Sequence, residues 1–250
     1  MLILGSAGWM PTSGRETACY AVREEDRLLV LDAGTGIQRL ITEPALLEGV
    51  SAIDVAVSHF HLDHVVGLSY LSGVGQDIAV TVRGPGAWLY GRTSSDIIDD
   101  LVRPPYQPAT LSRPGLKIRD LDEAGFSWGA HRLHVRHQPT HTAPSVAFRL
   151  DDSFAYCTDT AYDEGNADFA SGCSVLFHEA WSVDAGSEPG HSSAFDAASV
   201  ACLADVERLM LVHLPPTRDA GSICRAARTI FARTTLANDG EIIEFEPERR

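Results

Sequence analysis

The chain has 250 residues, a formal net charge of −14 and an apolar fraction of 44%. With 22% charged residues, this composition is typical of a globular enzyme and argues against a disordered chain. An acidic chain repels polyanions at long range, and the sequence offers no run of Lys and Arg as a local basic patch. Composition therefore argues against a nucleic-acid-binding protein.

The first residues show no basic leader, and no apolar run reaches the length that spans a membrane. The five cysteines form no Cys-x-x-Cys pair. Together these features predict a cytoplasmic protein with reduced thiols and without a membrane partner.

In the first half of the chain, apolar runs predict strands at residues 1–4, 18–22, 27–31, 53–57 and 78–82. Helices are predicted at 36–47, with a break at Pro44, at 65–71 and at 94–102. Ser94 or Ser95 is the expected N-cap of the last helix, since a hydroxyl there accepts from a free backbone N–H.

The second half predicts strands at 116–121, 132–135, 145–150, 154–157, 209–212 and 242–245. Helices are predicted at 193–203 and 222–233. Because no linker or low-complexity segment separates the halves, we expect a single domain over residues 1–250. Two similar halves of strands followed by helices suggest an α/β protein with two sheets packed face to face and helices outside.

The densest cluster of chemically active side chains is His59-Phe60-His61-Leu62-Asp63-His64, directly after the predicted strand 53–57. Imidazole and carboxylate suit zinc and its first-row neighbours. The pair His59 and His61 can converge on one ion, while Asp63 and His64 reach a second. Open α/β architectures place ligands at such strand ends. The segment therefore predicts two metals side by side.

Three more ligand-type residues follow predicted strands or turns: His141, Asp159 and His213. Singly, such a residue is more often a turn or capping residue. Jointly with the loop at residues 59–64, they supply the seven ligands of a dinuclear site. Three histidines compete with His141 for the third ligand position: His131, His134 and His137. Surface imidazoles on a strand are their plainer interpretation.

With its candidate ligands in this order along the sequence, the chain resembles the metallo-β-lactamase fold superfamily. Within that superfamily it resembles the ribonuclease Z and related phosphodiesterase branch. The resemblance rests on the residues above and on Asp32-Ala33-Gly34-Thr35-Gly36, Gly5-Ser6-Ala7-Gly8-Trp9, His178-Glu179-Ala180-Trp181 and Gly190-His191-Ser192-Ser193-Ala194. It covers nearly the entire chain and implies a four-layer αββα sandwich with the site at one rim.

The resemblance also implies the division of the ligands: His59, His61 and His141 hold one zinc, and Asp63, His64 and His213 hold the other. Asp159 would bridge them, which agrees with the two oxygens of a carboxylate. The implied cofactor is two Zn²⁺, with Mn²⁺ or Fe as alternatives. Asp32 either orients a ligand histidine or simply begins a Gly-rich turn.

Two adjacent cations would lower the pKa of a shared water and neutralise charge on phosphoryl oxygens. Asp63 is a candidate acceptor for the proton of that water. The resemblance pairs Glu179 with His191 as the proton donor to the leaving group, although Trp181 stands where the family motif often has Thr. The alternative is that Glu179 and His191 are ordinary loop residues.

Bacterial ribonuclease Z members carry a long Gly/Pro-rich arm for transfer RNA, and the comparable region from 84 to 105 is short and acidic here. We therefore expect a small-molecule or short nucleotide phosphodiester substrate and doubt a transfer-RNA partner. The resemblance adds a homodimer as an expectation. Hydrolysis of a thioester or lactone is the alternative function, and an iron-bound redox enzyme comes third. A binding module without catalysis is disfavoured because all seven ligands are present.

Overall fold

The strands form two mixed sheets in a computed structural model that describes residues 1–186 and 188–245. The first sheet has the spatial order β1-β2-β3-β4-β5-β6 and is antiparallel up to β3 and parallel after it. Its strands are β1 (Leu2–Gly5), β2 (Cys19–Glu24), β3 (Arg27–Leu31), β4 (Ala52–Ala56), β5 (Ala79–Gly84) and β6 (Leu116–Asp120).

The second sheet has the order β13-β12-β11-β10-β9-β8-β7, antiparallel from β7 to β10 and parallel from β10 to β13. Its strands are β7 (Phe126–Trp128), β8 (His131–Gln138), β9 (Ser145–Leu150), β10 (Phe154–Cys157), β11 (Val175–Glu179), β12 (Arg208–Val212) and β13 (Thr234–Leu236).

Helices cover the outer face of each sheet. Those of the first half are α1 (Arg39–Thr42), α2 (Leu62–Val65), α3 (Gly86–Tyr90) and α4 (Ser94–Leu101), with 3-10 segments at Thr35–Gln38, Pro44–Leu47 and Val66–Gly73. Those of the second half are α5 (Gly165–Ala170), α6 (Ala194–Leu203) and α7 (Ala220–Arg228). The predicted four-layer αββα sandwich is confirmed.

Strand β3 shows how the layers form, because it is apolar on both faces. Leu29 and Leu31 belong to the core between the two sheets, while Leu28 and Val30 belong to the core under the outer helices. Such a strand reads as a continuous apolar run rather than an alternating one. Each of these side chains contributes roughly 2 kcal/mol when fully buried.

Several predicted boundaries are wrong. The segment predicted as a last strand, residues 242–245, makes only an isolated bridge from Ile242 to Leu2, and the terminal strand is β13. After β13 the chain crosses to the edge of β1, where Glu241 and Met1 provide backbone acceptors to Ile3 and Ile243. This covers an edge that would otherwise present unpaired N–H and C=O groups.

The N-cap of α4 is Thr93, whose hydroxyl accepts from the N–H of Asp96, rather than Ser94 or Ser95. Ser94 instead donates its hydroxyl to the carbonyl of Gly84 at 2.8 Å. The sequence interpretation also missed three strands, β7, β11 and β13, and two helices, α3 and α5. Within the described ranges, no helix is long and apolar enough to cross a membrane. The predicted single domain includes residues 246–250, which lie outside the described residues, and stays a prediction.

Candidate metal centre

The carboxyl ends of parallel strands from both sheets meet at one rim, and the candidate ligands follow these ends. Asp32 follows β3, Asp159 follows β10 and His213 follows β12. All three have left-handed backbone, with φ of 58°, 47° and 49°. Such backbone costs a non-glycine residue about 1 kcal/mol or more, and it persists where the surroundings fix it, often at functional sites.

The structure brings all seven predicted ligands together in two adjacent groups whose potential ligand atoms lie within 4.8 Å of one another. One group is His59, His61, His141 and Asp159, and the other is Asp63, His64 and His213. The division matches the one that the resemblance implies. These clusters are consistent with a dinuclear metal site.

Asp159 lies between the two groups with one oxygen toward each. Its Oδ2 is 3.4 Å from Nε2 of both His59 and His141, and its Oδ1 is 3.3 Å from Nε2 of His64 and 3.1 Å from Nε2 of His213. Ligands of a tetrahedral zinc with bonds near 2.1 Å are separated by about 3.4 Å. The spacing therefore fits a carboxylate that bridges two cations.

Asp63 belongs to the second group. Its Oδ2 is 3.1 Å from Nε2 of His213 and 3.5 Å from Nε2 of His64, and it accepts the backbone N–H of Trp9 at 2.6 Å. Its side chain is 11% exposed, so a water can reach it.

Asp32 orients histidines of both groups. Its Oδ2 accepts from Nδ1 of His64 at 2.8 Å and from the hydroxyl of Ser58 at 2.9 Å. Since that hydroxyl is used as a donor, its oxygen accepts from Nδ1 of His59 at 3.0 Å. Both imidazoles therefore carry their proton on Nδ1 and present the Nε2 lone pair to the site. Tyr156 donates a further hydrogen bond to Asp32 at 2.9 Å.

His141 is oriented by backbone rather than by a carboxylate. Its Nδ1 donates to the carbonyl of Gly190 at 2.8 Å, and its Nε2 lies 3.3 Å from Nδ1 of His61. Gly190 has a φ of +80°, where a side chain is strained, and an added Cβ would lie 3.2 Å from Nδ1 of His141.

The polar atoms of the cluster fit cations. The Nε2 atoms of His59 and His64 are buried and have no hydrogen-bond partner among the described residues, which is costly unless another partner uses the lone pair. Burial lowers the pKa of His59 to about 4. His59 is therefore neutral at pH 7, as a ligand must be.

Two residues that sequence reasoning did not assign, Gly8 and Trp9, contact ligands of the second group. A Cβ added at Gly8 would lie 2.6 Å from both ring nitrogens of His213, so only glycine leaves room for that imidazole. Trp9 holds Asp63 through its backbone N–H despite a φ of 64°. Both lie in the motif quoted from residues 5–9, but its spacing gives no sign of these long-range contacts.

Glu179 and His191 lie beside the cluster. Glu179, fully buried, accepts from Nδ1 of His191 at 2.8 Å and from the backbone N–H of Thr160. Burial opposes the charged imidazole, but Glu179 dominates and raises the pKa of His191 to about 9. His191 also offers a ring nitrogen within 4.8 Å of potential ligand atoms of Asp159 and His213. The pair is thus at the site.

The three histidines that competed with His141 lie on β8, outside the groups that could hold a metal among the described residues. His131 instead contacts Asp151 at 2.7 Å and stacks near Trp128. These three histidines therefore match the interpretation as imidazoles on a strand rather than as metal ligands.

A family model described as a beta-lactamase superfamily domain matches residues 27–214, which is most of the chain. The chain belongs to the metallo-β-lactamase superfamily. Ribonuclease Z of Microcystis aeruginosa is 25% identical over 296 residues, with 94% of this chain and 93% of that protein covered. Ribonuclease Z of a Synechococcus species is 27% identical over 322 residues, with 98% and 97% covered.

Solved structures of this superfamily show the same fold. The metallo-beta-lactamase fold protein YhfI of Bacillus subtilis superposes with a TM-score of 0.77 at 20% identity, covering 96% of each chain. A diphosphatase of the PhnP family gives 0.75 at 18% identity and covers 98% of this chain and 97% of its own. The short form of human tRNase Z gives 0.71 at 19% identity, with 98% and 99% covered.

Proposed function

We propose that this protein is a dinuclear zinc phosphodiesterase acting on small-molecule or short nucleotide phosphodiesters. The observation that carries the proposal is the Glu179–His191 hydrogen bond, which lies beside Asp159 and His213. An alkoxide leaves phosphorus with difficulty unless it is protonated, and this pair would supply an imidazole donor beside the candidate metal ligands. A thiolate, the leaving group of a thioester, needs no such donor.

We assign His59, His61 and His141 to one zinc, Asp63, His64 and His213 to the other, and Asp159 to both. Five imidazoles and two carboxylates suit zinc, with Mn²⁺ or Fe as alternative occupants. When bound, the two cations supply activation of a water and positive charge for the phosphoryl oxygens.

The residues of the chain supply the proton transfers. Asp63 accepts a proton from the attacking water through its carboxylate. His191 gives the proton on its Nε2 to the leaving oxygen, while Glu179 keeps Nδ1 protonated and the ring in place. The named relatives support phosphoester chemistry: two are ribonucleases, and one structural neighbour is a diphosphatase.

The proposed size of the substrate rests on segments that ribonuclease Z has and this chain lacks. The alignment with the Synechococcus protein runs over 322 residues, more than the 250 of this chain, so that relative contains segments without a counterpart here. The net charge of −14 adds long-range repulsion of RNA. We therefore propose small phosphodiesters rather than transfer-RNA precursors as substrates.

The test compares phosphorus and carbonyl substrates on zinc-loaded protein: bis(para-nitrophenyl) phosphate, a thioester and a lactone. We expect zinc-dependent cleavage of the phosphodiester, its loss in His141→Ala and its retention in the matched control His137→Ala on β8. If the zinc-loaded protein cleaves the thioester or lactone but not the phosphodiester, the proposal is wrong and the carbonyl alternative replaces it.

A further inference from the structure

The indole of Trp181 lies against the candidate proton donor. Its ring centroid is 4.8 Å from that of His191 with an interplanar angle of 22°, and 5.3 Å from that of His213. His191 and His213 are nearly parallel, at 5.8 Å and 11°. His191 is therefore stacked with both Trp181 and His213 at the edge of the metal centre, in face contacts of the kind that stabilise aromatic pairs, whereas Trp181 and His213 are tilted by 34°.

Hydrogen bonds of the main chain hold the backbone of Trp181 beside the segment that carries His191. The N–H of Trp181 donates to the carbonyl of Ser192 at 2.8 Å, and its carbonyl accepts from Nη1 of Arg218 at 3.0 Å. Ser182 forms a bridge with Ser193. The segments that carry Trp181 and His191 are thus joined directly on the C-terminal side of the histidine.

A single hydrogen bond does not fix an imidazole. The contact from Nδ1 of His191 to Glu179 anchors one ring atom, but the ring can still turn about that contact. The indole face removes this freedom because rotation of the imidazole would bring it edge-on into Trp181. The Thr that often stands at this place in the family motif has no such face.

We propose that Trp181 is a positioning residue that holds the His191 ring with Nε2 directed at the leaving oxygen. The proposal rests on the phosphodiesterase function proposed above. In the reaction the water oxygen forms the new bond to phosphorus, and the bond from phosphorus to the leaving oxygen breaks with its electron pair on that oxygen. The leaving oxygen takes the Nε2 proton of His191, Asp63 takes the proton of the water, and both groups re-equilibrate with solvent.

The first test is the dependence of kcat on the leaving group. A diester that releases para-nitrophenolate needs little protonation, whereas one that releases an alkyl alcohol needs it strongly. Since general-acid catalysis contributes about 100-fold or more, we expect Trp181→Ala to lower kcat about tenfold for the alkyl leaving group and less than about twofold for para-nitrophenolate. Trp181→Phe keeps an aromatic face and should restore most of the loss.

The second test is a double-mutant cycle with His191→Ala. If Trp181 acts through His191, adding Trp181→Ala to His191→Ala has no further effect on kcat for the alkyl leaving group. Additive losses, an equal loss for both leaving groups or a rise in KM alone would overturn the proposal, because each indicates a substrate contact or a general structural role.

A third readout does not need turnover. In proton NMR spectra the Nδ1 proton of His191 in its bond to Glu179 should give a downfield signal, assigned by its loss in His191→Ala. We expect Trp181→Ala to broaden it and Trp181→Phe to retain it, with unchanged zinc content and Tm. An unchanged signal in Trp181→Ala contradicts the positioning role. If no phosphodiester is cleaved by wild type, the proposed function fails, and this signal alone decides the role of Trp181.

Discussion

Gly8 shows how a single missing Cβ makes room for a ligand. Any side chain there would overlap the His213 imidazole, whose nitrogens lie 2.6 Å from the Cβ position. We expect Gly8→Ala to displace His213 and to abolish binding of one of the two metal equivalents, with an overpacking cost of about 1–3 kcal/mol. Zinc titration of the metal-free protein measures the loss.

Gly14 is the matched control for that change, since an added Cβ there meets no atom within 4 Å. Gly14→Ala should bind zinc like the wild type. Equal zinc binding by both alanine variants would show that His213 tolerates the displacement or is not a ligand.

Asp32 is the buried acceptor on which the two metal groups depend. It accepts from His64, Tyr156 and both donors of Ser58. Asp32→Asn places an amide donor among these donors, and we expect a loss of about 3 kcal/mol in the free energy of unfolding of the metal-free protein. Urea denaturation measures it.

Tyr156→Phe provides a graded comparison because it removes only one of the donors to Asp32. We expect it to cost about 1 kcal/mol. If Asp32→Asn lowered the free energy of unfolding by no more than Tyr156→Phe does, the central role of the Asp32 carboxylate would be contradicted.

At the scale of elements, Asp120 joins the starts of two helices on the first sheet. Its Oδ1 accepts from the N–H of Ser94 at 2.7 Å and its Oδ2 from the N–H of Ala87 at 3.1 Å. Desolvation opposes ionisation, but these donors hold the pKa of Asp120 below its usual value. We expect Asp120→Ala to lower the free energy of unfolding by about 1 kcal/mol at pH 7, as loss of a cap does.

The pH dependence of this effect follows from the sign of the shift. A carboxyl whose folded pKa is lowered contributes stability above its unfolded pKa of about 4 and loses it as the pH falls through the folded value. The difference in the free energy of unfolding between wild type and Asp120→Ala should therefore narrow as the pH falls below the unfolded pKa of about 4. Asp99→Ala, at an exposed position on α4, is the control variant. A difference independent of pH would show that the carboxylate charge is not the cause.

The elements that the sequence predicted best are those with local signals. The metal loop is predicted because four candidate ligands lie within six residues, and Asp159 and His213 because each follows an apolar strand. Strand β11 was missed because only three apolar residues, 175–177, precede the polar His178 and Glu179 that form the rest of the strand. Residues 242–245 have the composition of a strand, but their place beside β1 depends on a crossing that only the folded chain shows.

In the candidate site, too, local sequence signals could be predicted and long-range contacts could not. The seven ligands could be named from residue type and resemblance, whereas the contacts of Gly8 with His213 and of Trp9 with Asp63 join segments far apart in sequence. The face that Trp181 turns to His191 likewise depends on the bridge between Ser182 and Ser193. Packing, rather than local pattern, determines these contacts.

At the scale of the whole molecule, the acidic chain and its missing segments predict poor action on transfer-RNA precursors. We expect the rate of precursor cleavage to stay far below that of a small diester and to rise modestly with salt, because salt screens the repulsion. Gel assays of a precursor transcript measure it. Efficient cleavage that weakens as salt rises would indicate a basic binding surface and contradict the account.

The dinuclear centre is the claim on which the rest depends, and metal content tests it most directly. Zinc per chain is measured after saturation and dialysis for wild type, Asp159→Ala and the control Asp168→Ala, an exposed residue on α5. The account predicts two equivalents in wild type and in the control, and one or none in Asp159→Ala. Fewer than two in wild type, or two retained without the Asp159 carboxylate, would contradict it.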